Sequence, residues 1–276
     1  MLKFMNDLHE LYPEYTKLCF AGGLFANVKM NQHINELEWV DEVYIMPPMG
    51  DEGLAVGACI YKAVELGEWK KPKKFKNVFL GSRYSNERIY QISKQYDFSV
   101  KKYTAKEMAQ YIANGEIIGW FQGRTEFGAR ALGNRSILGN PHLPDIRDRI
   151  NKVVKKREMF RPFAPSVTQE DYQTYFKSEE DVPYMNQVVQ VISKTPIPSV
   201  THVDNSARIQ TVKKEQNPLY HSLLKAFEEI TGTPILLNTS FNLKDKTMAN
   251  SPEDAIWTFK NCDMDYLVLG NFLISK

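Results

Sequence analysis

The chemistry-bearing part of this chain is concentrated in the motif GRTEFGARALGNRS (residues 123–136), which holds three arginines, three glycines and one glutamate. A guanidinium keeps its charge near neutral pH and offers a planar fork of donors suited to phosphate or carboxylate. Glycine permits positive φ and lets a ligand approach the backbone amides. Arg124, Arg130 and Arg135 stand five or six residues apart, off any single helical face, so a folded loop must converge them. The spacing predicts an oxyanion cradle, with Glu126 orienting an arginine or accepting from a ligand hydroxyl or amine.

A second basic cluster follows at KKREMFRPF (155–163). Lys155 and Lys156 are accounted for as cations opposing the dipole at a helix C-terminus. Arg161 is not, for it sits between Phe160 and Pro162-Phe163, where packing would hold it rigid. Residues 122–163 contain ten Lys/Arg and four Asp/Glu, a net +6, while the whole chain carries +2, leaving −4 for the rest. This concentration of charge predicts an anionic ligand more than a generally basic protein. Two polar groups join it. Asn238, Thr239, Ser240 and Asn242 form a polar segment after an apolar strand and offer short donors to phosphate or ribose. Asp204 and Arg208, with Gln210, form a weaker group in which Asp204 also reads as a turn residue.

Other chemistries are poorly served. Neither Ser136 nor Ser240 lies in a Gly-x-Ser-x-Gly elbow or near a histidine in sequence, so no nucleophilic serine is expected. The five histidines and three cysteines show no HxxxH, HExxH or CxxC spacing, so no metal site assembles from pattern alone. Cys19, Cys59 and Cys262 are read as buried, reduced thiols, and a cytoplasmic location is expected from them. No apolar run reaches the roughly 18–20 residues of a membrane span.

The elements that must position these groups follow an α/β rhythm. Strands are expected at 17–21 and 43–46, a helix at 24–34, and a helix opened by Gly50-Asp51-Glu52-Gly53 whose small apolar residues suit close packing. The basic, proline-broken stretch 70–74 is placed as a domain boundary, dividing the chain into 1–70 and 71–276. Beyond it, helices are expected at 85–96, 105–114, 145–155, 218–231 and 252–261. Strands are expected at 98–103, 117–121, 163–167, 186–193, 208–212 and 235–237, with one last strand at 266–274.

The motifs GWFQGRTEFGARALGNRSIL (119–138), KKREMFRPFAPSV (155–167), DNSARIQTV (204–212) and LNTSFN (237–242) resemble the C-terminal part of the NodU/CmcH family of O-carbamoyltransferases. AGGLFANVKMN (21–31) and GDEGLAVGA (50–58) resemble the end of that family's first domain. The resemblance implies an α/β, YrdC-like twisted mixed sheet with flanking helices, preceded by a partial actin/Hsp70-like segment. It implies that carbamoyl phosphate and ATP, assisted by Mg²⁺, give carbamoyl-adenylate, whose carbamoyl group then passes to an acceptor alcohol. On this basis Arg124, Arg130, Arg135, Lys156 and Arg161 would be catalytic. Glu126, Ser136, Arg157, Arg208, Asn238, Thr239, Ser240, Asn242, Gly22, Gly23 and Asn27 would bind substrate or nucleotide.

Asp51 would be a metal ligand without its companions, because the histidine pair of the family's first domain has no counterpart here. The resemblance thus implies a chain that retains the activation half and lacks the means to complete transfer, and that pairs with a missing N-terminal half or with itself. Ala129, where the family carries proline, and Lys244-Asp245-Lys246-Thr247, in place of its Gly-Glu-Pro-like turn, are departures. A YrdC-like RNA- or nucleotide-binding module without transferase activity is the alternative. The scarcity of aromatics among the basic residues weighs against RNA.

Overall fold

The computed structural model describes residues 1–71 and 75–276. Part of the expected domain boundary, Pro72 to Lys74, lies outside the described residues. The N-terminal part runs α1 (Leu2–Leu11), β1 (Lys17–Phe20), a 3₁₀ turn (Gly23–Ala26), α2 (Val28–Asn35), β2 (Glu42–Ile45) and α3 (Glu52–Glu65). Strands β1 and β2 pair in parallel around the α2 crossover. A small core of Met5, Phe25, Ile34, Val43, Ile45 and Met49 joins them.

Two expectations fail in this part. The single helix expected at 24–34 is split, because the Asn27 side chain accepts from Met30 N at 3.1 Å and caps α2. Helix α3 has the composition of a packed helix, yet none of its residues is buried, and Leu54 and Tyr61 are 71% and 68% exposed. Composition supplies the apolar surface but not the neighbour that would cover it. Cys19 and Cys59 are likewise exposed rather than buried, and only Cys262 is enclosed.

The remainder forms an eight-stranded mixed sheet between two helical layers, which is the α/β class expected. It is built from α4 (Asn86–Ser93), β3 (Ser99–Lys102), α5 (Ala105–Ala113), β4 (Ile118–Phe121), β5 (Arg135–Gly139), α6 (Ile146–Arg149) and a π-helical turn (Ile150–Lys155). There follow β6 (Ala164–Thr168), α7 (Tyr172–Tyr175), β7 (Phe176–Lys177), β8 (Val189–Val191), β9 (Ser206–Ala207) and β10 (Gln210–Val212). The chain ends with α8 (Pro218–Thr231), β11 (Ile235–Ser240), α9 (Pro252–Lys260), β12 (Tyr266–Leu269) and β13 (Phe272–Ser275). The strand order is β10-β6-β11-β5-β4-β12-β13-β3, and β7, β8 and β9 make a separate small sheet.

Strand alternation feeds two cores. Ile235 and Leu237 of β11 face one with Leu267 and Leu269 of β12, while Leu236 and Val268 face the other. Helices α4 and α9 cover the first face, and α5 and α8 the second. Burial on both faces explains why these strands are nearly continuous apolar runs. The ends of α8 and α9 are set as expected. Asn217 caps α8 before Pro218, Gly232 ends it at φ +78°, and Ser251 with Asp254 forms a capping box on α9.

Four expectations about elements change here. Asn238, Thr239 and Ser240 belong to β11 rather than to a loop, pairing with Leu138, Ile137 and Ser136. Arg135 and Ser136 open β5, so the arginine motif ends in a strand. The helix expected at 145–155 is a short α-turn followed by the π-helical turn. The expected last strand is a hairpin, β12 antiparallel to β13, reversed near Gly270 at φ +56°.

Candidate functional site

The arginine motif divides into a buried frame and an open wall. In the frame, Glu126 Oε1 accepts from the backbone N–H groups of Leu132 (2.8 Å), Asn134 (2.8 Å) and Arg135 (3.1 Å). One carboxylate oxygen thus folds the loop back on itself, while Oε2 is buried without a hydrogen-bond partner. Arg135 is fully buried. Its Nη1 donates to Gln122 O (2.5 Å) and Asn134 O (3.0 Å), and its Nη2 to Ser82 O (3.3 Å) and Gly123 O (3.4 Å). Its guanidinium carbon lies 3.6 Å from the centre of the Phe121 ring. Burial lowers its pKa to about 10, with Glu126 and Tyr84 opposing that shift. Ser136 Oγ accepts from Gly133 N at 3.0 Å. Gly133 has φ +96°, and a Cβ there would meet the Tyr220 ring at 2.2 Å, so no other residue fits. Arg135 and Ser136 therefore hold the loop's shape and line no part of the cavity that Arg130 borders.

The wall surrounds a cavity of about 320 Å³ lined by Arg130, Arg157, Arg161, Arg208 and His202, with Asn238, Thr239 and Ser240 of β11 forming one side. Val28 of α2, Ala129 and Met185 complete its apolar margin. The N-terminal part abuts this margin. Lys29 Nζ lies 3.0 Å from Asp204 Oδ2, and Asn31 Nδ2 donates to Asn186 O at 2.8 Å. Asn238 is internal. Its Nδ2 faces Ala131 O (3.2 Å), Ser166 Oγ (3.0 Å) and Gln210 Oε1 (3.1 Å), tying the arginine loop to the sheet.

The electrostatics of the wall are those of an anion site. Burial, with the neighbouring Arg130 and Arg157 acting in the same direction, lowers the Arg208 pKa to about 9. Burial alone lowers Arg130; burial and then Arg161 lower Arg157, with Glu158 opposing. The Nε atoms of Arg130 and Arg208 are buried without a hydrogen-bond partner. Among the described residues no carboxylate pairs with Arg130, Arg157 or Arg208. Arg161 alone of the four has one, Glu158 at 2.9 Å. Arg157 is aimed by Asn151, whose Oδ1 accepts from its Nε at 2.7 Å, and lies 4.9 Å from the Phe163 ring centre. Half-buried guanidiniums held together without a paired carboxylate are stabilised by an anion.

Lys155, which sequence reasoning assigned to a helix dipole, is buried behind this wall. Its Nζ donates to Ser240 O, Ser240 Oγ (3.1 Å), Asn242 O (3.0 Å) and Asn242 Oδ1 (2.7 Å). Burial, with Arg157 acting in the same direction, lowers its pKa to about 7. Its neighbour Lys156, the expected catalytic residue, is exposed at φ +49°, where the π-helical turn ends. The π-helical turn shifts the register by one residue, so the basic doublet in sequence conceals which lysine is inside. His202 was also missed, for a lone histidine has no spacing signal.

The other expected residues lie apart. Arg124 is exposed, with Nη2 only 3.4 Å from Leu80 O, and lines no part of the cavity. Gly22, Gly23 and Asn27 are exposed, Asn27 being engaged as the α2 cap. Asn242 contacts Lys155 and Lys246 rather than the cavity. Asp51 is exposed at the start of α3, and among the described residues no group of three His, Cys, Asp or Glu could hold a metal ion. No helix among the described residues is long and apolar enough to cross a membrane.

Comparison with known proteins bears on this geometry. Residues 109–276 match the family model for the carbamoyltransferase C-terminus, and residues 1–60 that for the carbamoyltransferase N-terminus. Nodulation protein NolO of Bradyrhizobium diazoefficiens is 41% identical over 97% of this chain and 51% of its own length. The 3'-hydroxymethylcephem-O-carbamoyltransferase of Amycolatopsis lactamdurans is 32% identical over 97% of this chain and 50% of its own. This chain spans about half the length of these relatives. Full-length HypF, solved with phosphate and nucleotide, overlaps 63% of this chain and 22% of its own at 14% identity and a TM-score of 0.44. Matched by the C-terminal model over more than half of its residues, the chain belongs to the carbamoyltransferase family.

Proposed function

We propose that this chain binds carbamoyl phosphate and ATP in the arginine cavity and activates the carbamoyl group as carbamoyl-adenylate, for later transfer to an acceptor alcohol. The observation that carries the reading is the set of three guanidiniums, Arg130, Arg157 and Arg208, enclosed beside one cavity without a carboxylate partner. In the overall balance, water converts carbamoyl phosphate to carbamate and phosphate. A carbamate oxygen then bonds to the α-phosphorus of ATP as the α–β phosphoanhydride bond breaks and pyrophosphate leaves. Several anionic groups must be brought together, so fixed cations and donors supply the acceleration through orientation and charge stabilisation.

In this reading Arg130 and Arg208 face the phosphate of carbamoyl phosphate, Arg157 and Arg161 the polyphosphate, and Thr239 and Ser240 donate to phosphate or ribose oxygens. Mg²⁺ is expected to arrive with the nucleotide, because the cavity wall contains no carboxylate with which to hold it. Calorimetric titration with Mg·ATP and with carbamoyl phosphate, on the unsubstituted chain and on Arg208→Ala, tests the reading. Saturable binding weakened roughly ten- to a hundredfold by the substitution is expected, the loss of a charge-assisted contact or two. A folded chain that gives no heat with either ligand overturns it.

A further inference from the structure

The proposed reaction needs a proton acceptor, and the cavity wall contains one residue able to serve. Of the side chains lining the cavity, the ionisable ones are four arginines and His202. Arginine stays protonated near neutrality. Lys155 lies outside the lining, with its Nζ enclosed by oxygens of Ser240 and Asn242.

The surroundings of His202 fix its tautomer. Its Nδ1 lies 3.1 Å from Ser206 Oγ, and Ser206 Oγ lies 2.5 Å from Asp204 Oδ1. Asp204 lies 3.0 Å from the Lys29 ammonium, and hydrogen bonds from Ser206 and Lys29 hold its pKa down at about 2, so it is ionised and can only accept. The Ser206 hydroxyl hydrogen is therefore committed to Asp204, and its lone pair must receive Nδ1–H of the imidazole. The neutral ring then carries no hydrogen on Nε2, for which no partner is found among the described residues. The charged groups around the ring are Asp204, which favours the imidazolium, and Arg208 and Lys29, which oppose it. Burial opposes it most of all, and the net shift is downward, keeping the ring neutral near pH 7.

We propose that His202 is the general base of the arginine cavity, its Nδ1 oriented by Ser206 and Asp204 and its Nε2 receiving the proton of the water that attacks carbamoyl phosphate. The proposal rests on the carbamoyl phosphate reading of the cavity. The water oxygen bonds to the carbonyl carbon, the bond from that carbon to the phosphate oxygen breaks, and phosphate leaves with its electron pair. One water proton passes to Nε2 and then to solvent, and the other passes to the departing phosphate, leaving carbamate for attack on ATP. Ser206 and Asp204 are positioning residues.

The test measures phosphate release from carbamoyl phosphate in the presence of Mg·ATP, beside calorimetric affinities for both ligands. His202→Asn keeps an N–H for Ser206 and removes the second nitrogen. It is expected to lower kcat by roughly a hundredfold or more, the usual worth of a general base, with both affinities within about twofold. The wild-type kcat should fall on the acid side of the histidine pKa, and that limb should be missing from the variant. Ser206→Ala should lower kcat about tenfold with KM unchanged, since only the ring's orientation is lost. Independently of turnover, ¹⁵N NMR of the imidazoles should show His202 as the Nδ1–H tautomer. An Nε2–H tautomer, a His202→Asn kcat within threefold of wild type, or an affinity loss with kcat unchanged overturns the proposal. A wild-type chain that binds neither ligand overturns the carbamoyl phosphate reading itself and takes this proposal with it. One that binds both yet releases no phosphate overturns the proposal alone.

Discussion

Arg135 and Arg208 carry the same side chain and are used in opposite ways. Arg135 has its Nη atoms surrounded by four carbonyl oxygens and a ring beneath its plane. Both have a buried Nε without a partner, but Arg208 has neighbours of its own sign and, among the described residues, no carbonyl oxygens about its guanidinium. The Nη fork of the first arginine is satisfied by the protein and so belongs to the fold. The second is left wanting, and what it lacks is an anion. Partnership, more than residue type, separates a structural cation from a binding one.

That contrast yields its largest effect at Arg135. Arg135→Met should destabilise the chain by about 3 kcal/mol, because several buried carbonyls lose a charged donor at once. Urea unfolding reads it directly. A loss under about 0.5 kcal/mol would mean that Arg135 is not the frame of the loop. Any weakening of ligand binding in this variant should track its loss of stability.

Arg208→Ala should do the reverse. The roughly ten- to hundredfold loss of ligand affinity should come with unchanged or slightly increased stability, since removing one of several clustered like charges relieves repulsion. A Tm that falls by many degrees would place Arg208 with Arg135 and erase the contrast.

Lys155 stands between the two, buried like Arg135 but next to the wall. Its folded pKa of about 7 lies below the model-peptide value of 10.5. Between those values the unfolded chain holds a proton that the folded chain has released, so stability rises with pH across this window. The cost of the buried charge is fully present below pH 7. The stability difference between wild type and Lys155→Met should change by on the order of 1 kcal/mol per pH unit from pH 7 to 9. A flat difference would show that the oxygens of Ser240 and Asn242 keep the amine protonated.

The chemistry of the cavity was legible in the sequence, whereas the depth of each residue was not. Arg130, Arg157, Arg161 and Arg208 were singled out by type and local crowding, and they converge on one cavity with Thr239 and Ser240. Spacing could not reveal that Arg135 begins a strand buried on both faces, because its position in β5 is set by pairing with Phe121 of β4 across the intervening loop. Nor could it choose Lys155 over Lys156, since that choice depends on a π-helical turn that apolar periodicity does not encode. His202 acquires its meaning only from Ser206 and Asp204 folding back on it. The fold was read more fully than the site. Alternation and caps are local signals and located most elements of the sheet layer. Helix α3 shows the limit of composition, which gave it a packed appearance that no described neighbour meets.

The smallest effect is the one that separates motif from function most cleanly. Arg124 shares the glycine-rich loop with Arg130 and Arg135 and was expected to act with them, yet it is exposed, and among the described residues its guanidinium donates only to Leu80 O, at 3.4 Å. A solvated guanidinium outside the cavity contributes through long-range charge alone, which salt near 0.1 M screens over about 10 Å. Arg124→Ala should therefore change the affinity for either ligand by less than about twofold and stability by less than about 0.5 kcal/mol. A loss as large as that of Arg208→Ala would mean that the loop closes on its ligand and carries Arg124 inward. The frame held by Glu126 and Arg135 would then be a hinge, and unfolding measured with ligand bound should show the added protection.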